Sequence, residues 1–311
     1  MNEKSARPTH RRILTLFPGA LGDLLCCWPA LDTLRRATGA ALTLVARDAW
    51  FAALPPDDLT ALSIERREVA DLFGSGPLAP ATRALLHGFA RVESWTGSGD
   101  ENFARRLADA AATAAVAVHP FRALRSGEHA AQYFARCLGI EAIVGALPVR
   151  AAAARWADGL WSAAGLGDET LVIHSGSGSA RKNWEGMNAV AERWRAAGGH
   201  VIALRGPADR ERAQTIAHDA EIDSAPLDRV AAVLARSSRY LGNDSGISHL
   251  AGQIGARGVA VFGPSDPIAW RPLGQGVRVL HAPDACARCG GDRFCVHRLS
   301  PGDVLAALER A

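Results

Sequence analysis

The sequence predicts an α/β protein of two doubly wound domains facing each other across a cleft. Three observations carry that expectation. A strand, a glycine loop, a helix and a second strand open the chain at "RILTLF", "PGALGD", "LLCCWPALDTLRRATG" and "ALTLVAR". The same grammar restarts near residue 170 with "TLVIHSG", "SGSARKNW" and "EGMNAVAERWRAAGG". And 311 residues are too many for one typical domain and comfortable for two.

Each element has a local reason. Residues 12–17 form an apolar run of strand length, and 18–23 end it with two glycines. The next sixteen residues read as a helix closed by Gly39, with Pro29 inside it as an expected kink or break. Residues 41–47 are the second strand, which completes a βαβ unit. Alanine flattens the periodicity of the following hundred residues. Strands are expected at 90–94 and 115–118, and helices at 101–112 and 128–138. The stretch 146–170 holds a helix and a glycine-rich exit. The domain boundary is placed there, giving an N-terminal unit 1–150 and a C-terminal unit 151–311.

In the second half, strands are expected at 170–176, 200–206, 239–243 and 258–263. Helices are expected at 185–199, 208–218, 227–236 and 247–254. Ser300 followed by Pro301 is a helix start for the last segment. Ligands of doubly wound sheets bind outside the carboxyl ends of the strands. The loops 18–23, 174–184, 243–246 and 263–267 lie at such ends.

Composition narrows the function classes. Hydrophobic residues make up 48% and charged ones 22%, and the formal net charge is +3. That is ordinary globular chemistry, without the basic stripe that a nucleic-acid partner would need. The N-terminus is basic and precedes an apolar stretch, but Asp23 interrupts it and no clean cleavage site follows. No apolar run is long enough to span a bilayer. The expectation is a cytoplasmic protein, with peripheral contact at the inner membrane left open. Cys26, Cys27 and Cys137 stand in apolar contexts and read as small core residues. Cys286, Cys289 and Cys295, with His297, leave a zinc site open. Their spacing is not a standard one, and no metal is assigned.

Three loops carry candidate chemistry. In "GNDSGISHLAG" a strand ends in Gly-Asn and a helix starts near Gly246. The free N–H groups of such a helix start attract anions. His249, in the first turn, is placed to donate to a phosphate oxygen. The plainer alternative is that Asp244 or Ser245 only caps the helix and His249 only packs. In "HSGSGSARKNW", small residues including Ser177 allow close approach to an anion, Lys182 supplies a mobile charge and Arg181 a planar fork. Trp184 reads as a packing residue, and a solvated turn is the alternative for the whole loop. In "PGALGD", Asp23 is either a carboxylate favoured by the helix dipole or a general base pointing into the cleft. Arg122 and Arg125 follow a strand end and suit an anionic acceptor, or are solvated surface residues. D-x-D, H-E-x-x-H and G-x-S-x-G patterns are absent, against metal-held nucleotide sugars, zinc proteases and α/β-hydrolases. "PGALGD" is a poor dinucleotide fingerprint.

With these stretches assembled, the chain resembles glycosyltransferase family 9, the lipopolysaccharide heptosyltransferases. "GALGDLL" with "PALDTLRR", "HSGSGSARKNW", "GNDSGISHLAG" with "VAVFGPSDPIAW", and "CARCGGDRFC" before "SPGDV" carry the likeness. Residues 50–145 match only loosely, and Ser175 stands where members often have Pro. The resemblance implies a GT-B architecture of two Rossmann-like domains and an inverting, metal-independent transfer from a nucleotide-sugar donor, with ADP-heptose among the candidates. It implies a lipopolysaccharide-type or other glycan or glycolipid acceptor. By position, Asp23 would be the base, Lys182 would contact the diphosphate, and Asp244, Ser245, Gly246 and His249 would hold the donor's phosphate and ribose. Asp209 stands where members often have Glu, which puts a ribose role for it in doubt. A sugar-nucleotide epimerase of similar build, or a nucleotide-sugar-binding protein without catalysis, are the competing readings.

Overall fold

The computed structural model describes residues 11–207, 214–282, 286 and 295–311. Two all-parallel sheets organise them. The first takes β1 (Arg12–Leu16), β2 (Ala41–Ala46), β3 (Leu59–Ser63), β4 (Arg91–Ser94) and β5 (Ala115–Val118) in the order β3-β2-β1-β4-β5. The second takes β6 (Thr170–His174), β7 (His200–Arg205), β8 (Ala220–Asp223), β9 (Arg239–Asn243), β10 (Gly258–Val261) and β11 (Val277–Leu280) in the order β11-β10-β9-β6-β7-β8. In both, the chain winds one way from the first strand, then returns to its other side. That is the doubly wound order, with a switch point between β1 and β4 and another between β6 and β9. The α/β expectation of two Rossmann-like lobes therefore holds.

Helices cover the sheets: α1 (Leu21–Thr38), α2 (Arg67–Asp71), α3 (Pro80–Leu86), α4 (Glu101–Ala111) and α5 (Ala130–Leu138) on the first, then α6 (Ala151–Ala163), α7 (Met187–Ala196), α8 (Leu227–Arg236), α9 (Gly246–Gln253), α10 (Pro267–Trp270) and α11 (Pro301–Glu309). The central strands read as continuous apolar runs because both faces are covered. All five residues of β6 and all four of β10 are buried. Helix α5 packs on α1, and α6 on α8; residues 139–150 run between them.

The lobes meet along α1 and α9, which pack against each other. A Cβ on Gly246 would lie 2.8 Å from Leu21 Cβ, and one on Gly22 2.9 Å from His249 Cδ2, so the two glycines permit this approach. One apolar cluster runs through the seam, from Phe17, Leu24 and Leu25 to Leu250 and Ala251.

Three expectations need correction. Of the kink or break expected at Pro29, the break does not occur: α1 is one helix of 18 residues. Proline cannot donate to the carbonyl four residues back. Leu25's oxygen instead accepts a hydrogen bond from Gln253 Nε2, on α9 of the other lobe. The helix expected at 208–218 lies partly outside the described residues; 214–218 are not helical, and the strand β8 follows at once. Neither Asp244 nor Ser245 caps α9 with its side chain. Asp244 pairs with Lys182, and Ser245 Oγ lies 3.3 Å from His174 Nδ1.

Candidate active site

The switch points of the two sheets open onto one pocket of about 460 Å³ between the lobes. The first lobe supplies Ala20, Gly22, Asp23 and Arg122 to its lining. The second supplies Gly178, Ser179, Lys182, Asp244, Ser245, Gly246, His249, Ser265 and Trp270. Asp23, Lys182, Asp244, Ser245, Gly246, His249 and Arg122, all singled out from sequence, thus come together. Ser177 and Arg125 do not line the pocket. Ser177 is buried, and its Oγ lies within hydrogen-bond distance of two acceptors, Ser179 O at 2.7 Å and Asn183 Oδ1 at 2.6 Å, which shapes the loop. Arg125's N–H donates to Glu128 Oε2 at 2.8 Å. Arg181 is exposed and outside the lining. Asp209 and Cys289 lie outside the described residues. The Sγ atoms of Cys286 and Cys295 are 3.5 Å apart, and among the described residues no group of three or more His, Cys, Asp or Glu is arranged to hold a metal.

Asp23 sits in the first turn of α1, where its Oδ2 accepts from Ala20 N–H at 3.1 Å. It is only 3% exposed, but faces the pocket. Arg122 grips it with both arms, Nε to Oδ1 at 3.0 Å and Nη2 to Oδ2 at 2.7 Å. Asp23 thus lies both in the first turn of α1 and on the wall of the pocket. Its three accepted bonds leave room for roughly one more donor, since a carboxylate offers about four acceptor sites. Arg122 has a left-handed backbone, φ 63°, a conformation that costs about 1–2 kcal/mol for a side-chain-bearing residue and is often kept where a side chain must be aimed. Its guanidinium lies 5.2 Å from the centre of Phe121 and 5.3 Å from that of Trp270, which belongs to the opposite lobe.

Lys182 Nζ donates to Asp244 Oδ2 at 2.6 Å. The loop that carries it is clamped by Asn243, which is wholly buried. Asn243 Nδ2 donates to Ser175 O at 2.8 Å, and its Oδ1 accepts from Trp184 N–H at 3.0 Å. Trp184 packs in the second lobe's core and donates from Nε1 to Leu299 O at 3.1 Å. The Ser245 side chain does not cap α9, and Ser245, Gly246 and His249 at the start of that helix line the pocket, so its first-turn N–H groups begin at the pocket wall. Burial holds His249 well below the ordinary histidine range, at about 4; Asp244 pulls the other way, as does Asp23, while His129 and Lys182 add to the depression. The ring is neutral at pH 7. A small recess of about 60 Å³ at the ends of β6 and β7 is lined by His174, Leu204, Ile222, Ala225 and Ile247 among others. The His174–Ser245 contact joins it to the main pocket.

Sequence reasoning missed Trp270, Ser265 and Asn243. The first two lie in "FGPSDPIAW", where an aromatic after a strand-end loop was the available signal. The Arg122–Asp23 pair joins positions 99 apart and left no signal in the spacing.

A family model described as glycosyltransferase family 9 (heptosyltransferase) matches residues 139–294, half of the chain. By sequence, no curated protein matches it. Among solved structures, the glycosyl transferase family 9 protein from Veillonella parvula superposes with a TM-score of 0.76 at 20% identity, over 96% of each chain. The E. coli ADP-heptose lipopolysaccharide heptosyltransferase II gives 0.73 at 17% identity, over 96% of this chain and 98% of that one. E. coli heptosyltransferase WaaC with ADP gives 0.65 at 20% identity, over 96% and 99%.

Proposed function

The chain belongs to glycosyltransferase family 9, and from that premise we propose that it moves a sugar, heptose among the candidates, from a nucleoside-diphosphate donor to a glycan or glycolipid acceptor of the lipopolysaccharide type, with inversion and without a metal. Membership of a transferase family sets aside the epimerase reading. One observation carries the proposal: a carboxylate from the first lobe, Asp23, faces a lysine and an uncapped helix start from the second across one pocket.

Inversion needs one in-line attack, one base and a stabilised leaving group. The donor's diphosphate lies against Lys182, the α9 N–H groups and Gly246, with its nucleoside toward the apolar recess near His174. The acceptor hydroxyl donates to Asp23 Oδ1. As its oxygen bonds to the anomeric carbon, the bond to the diphosphate breaks on the opposite side and the proton passes to Asp23. The charge released on the diphosphate is met by fixed donors, each worth about 3–4 kcal/mol in comparable sites. Residues 1–150 are then the acceptor-side unit, with Arg122 its anion contact, and residues 151–311 the donor-side unit. The closed set of ion pairs implies that the substrates draw Lys182 and Arg122 from their carboxylate partners. Peripheral contact with the inner membrane fits a glycolipid acceptor, and among the described residues no helix is long and apolar enough to cross a membrane.

The relatives' names supply the donor to try first, ADP-heptose. Incubation with it and with a panel of lipid A–core acceptors should give transfer. D23N should reduce turnover by about 10²–10⁴, the usual worth of a general base, while ADP still binds. A fully active D23N would refute the assignment of the base.

A further inference from the structure

The face of α1 that carries Asp23 also carries Cys26, since residues three apart share a helix face. Cys26 is completely buried, and its Sγ lies 3.6 Å from Nδ1 of His249 on α9. With both groups neutral, acceptor strength decides which atom donates. Burial, reinforced by Asp23 and Asp244, pushes the Cys26 thiol far above its ordinary range, so the sulfur keeps its hydrogen. The His249 ring is neutral and holds a single hydrogen. A bare imidazole nitrogen is a much better acceptor than a thiol sulfur, so the contact favours S–H donating to Nδ1 and the ring hydrogen on Nε2. The Nε2 edge lies beside Gly22, whose missing Cβ would stand 3.3 Å from Nε2, and both residues line the pocket.

We propose that Cys26 is a positioning residue: its S–H contact across the seam fixes His249 as the Nε2–H tautomer, making the ring a neutral donor to the diphosphate of the bound nucleotide. The proposal rests on the donor reading above. It goes further in one respect. The donor half of the site lies on one lobe, but the hydrogen that it offers is set by a side chain of the other. Without Cys26, a neutral imidazole divides its hydrogen between two nitrogens, and the fraction on Nδ1 presents a lone pair to a phosphate oxygen. A protonated ring would not need this device, but burial denies His249 its charge.

The test uses the full chain with C26S, which keeps an O–H donor, and C26V, which keeps similar volume without one. Long-range ¹H–¹⁵N spectra distinguish protonated from bare ring nitrogens, and the His249 signals are those lost in H249Q. Wild type and C26S should show hydrogen on Nε2 and none on Nδ1; C26V should show a mixture. Titration with ADP and UDP should find the tighter ligand weakened for C26V by the reciprocal of the fraction of hydrogen left on Nε2, about twofold for an even mixture, with C26S unchanged. An unchanged tautomer in C26V would overturn the proposal. So would equal losses of affinity in C26S and C26V with the wild-type tautomer kept, which would mark Cys26 as packing only. Wild-type protein that bound neither nucleotide would overturn the donor reading itself, and the ring's phosphate partner with it, a failure readable apart from the tautomer.

Discussion

Replacing Gln253 by Leu tests the bond that lets Pro29 sit inside α1. In an uninterrupted helix the N–H of residue 29 would serve the Leu25 carbonyl, and proline has none to offer. Gln253, 2% exposed, supplies the missing donor from the other lobe. Its backbone is pinned independently, because its carbonyl accepts from Leu147 N–H at 2.8 Å. Leucine at 253 would strand a buried carbonyl, at a cost of about 1–3 kcal/mol. Against this, Gln253 Oε1 is itself buried and finds no partner among the described residues, so its removal recovers part of the loss. The net expectation for Q253L is about 1–2 kcal/mol of destabilisation. P29A returns an N–H to the helix, so in that background the same substitution should cost less than about 0.5 kcal/mol, a coupling of about 1 kcal/mol. Urea unfolding of the wild type, both single variants and the double variant measures all four corners. Equal costs of Q253L in both backgrounds would refute the account of Pro29.

Other outcomes follow from the same geometry. K182M removes the cation and leaves Asp244 without its partner, so ADP affinity measured by calorimetry should fall at least about tenfold, as for a lost charged hydrogen bond; unchanged affinity would take Lys182 out of the site. G246A puts a methyl 2.8 Å from Leu21 Cβ and should cost about 1–3 kcal/mol by overpacking, with transfer activity falling as α1 and α9 part; a neutral G246A would show that the seam yields freely. Burial works against a charged His119, yet its bonds to Cys137 and to Glu93, the latter 2.5 Å away, raise it to about 9. Its folded pKa lies above its ordinary 6.5, so the stability that it adds is complete below pH 6.5 and lost as pH rises through 9. Discounted for its partial exposure, that is about 1–2 kcal/mol. The difference in unfolding free energy between wild type and H119Q should therefore shrink between pH 6 and pH 10, and a constant difference would contradict it.

What could be read from the chain divides along physical lines. β6, β9 and β10 were legible because strands buried on both faces have a largely apolar centre and run into glycine-containing loops. β3, β8 and β11 lie at or near sheet edges and mix polar with apolar residues, so no run of side chains announced them. The three loops of the pocket were legible because the carboxyl ends of parallel strands are where a doubly wound fold gathers its chemistry. What joins them was not. Arg122 reaches Asp23 through a left-handed backbone no propensity favours, and Asn243 clamps a loop 59 to 68 positions earlier. The break allowed at Pro29 is absent for the same reason: the donor that replaces its missing N–H comes from 224 positions further on. The cap expected at Asp244 or Ser245 failed because each side chain had another partner closer to the pocket.

The α1–α9 seam also bears on protein engineering. Gly22 accommodates His249, Gly246 accommodates Leu21, and Gln253 answers the vacancy at Pro29. These are matched halves. A chimera that took one lobe from a distant relative, to graft on a new acceptor preference for instance, would bring unmatched halves together at every one of those positions. Exchange of specificity should therefore cut outside this helix pair and transplant both strips as a single cassette.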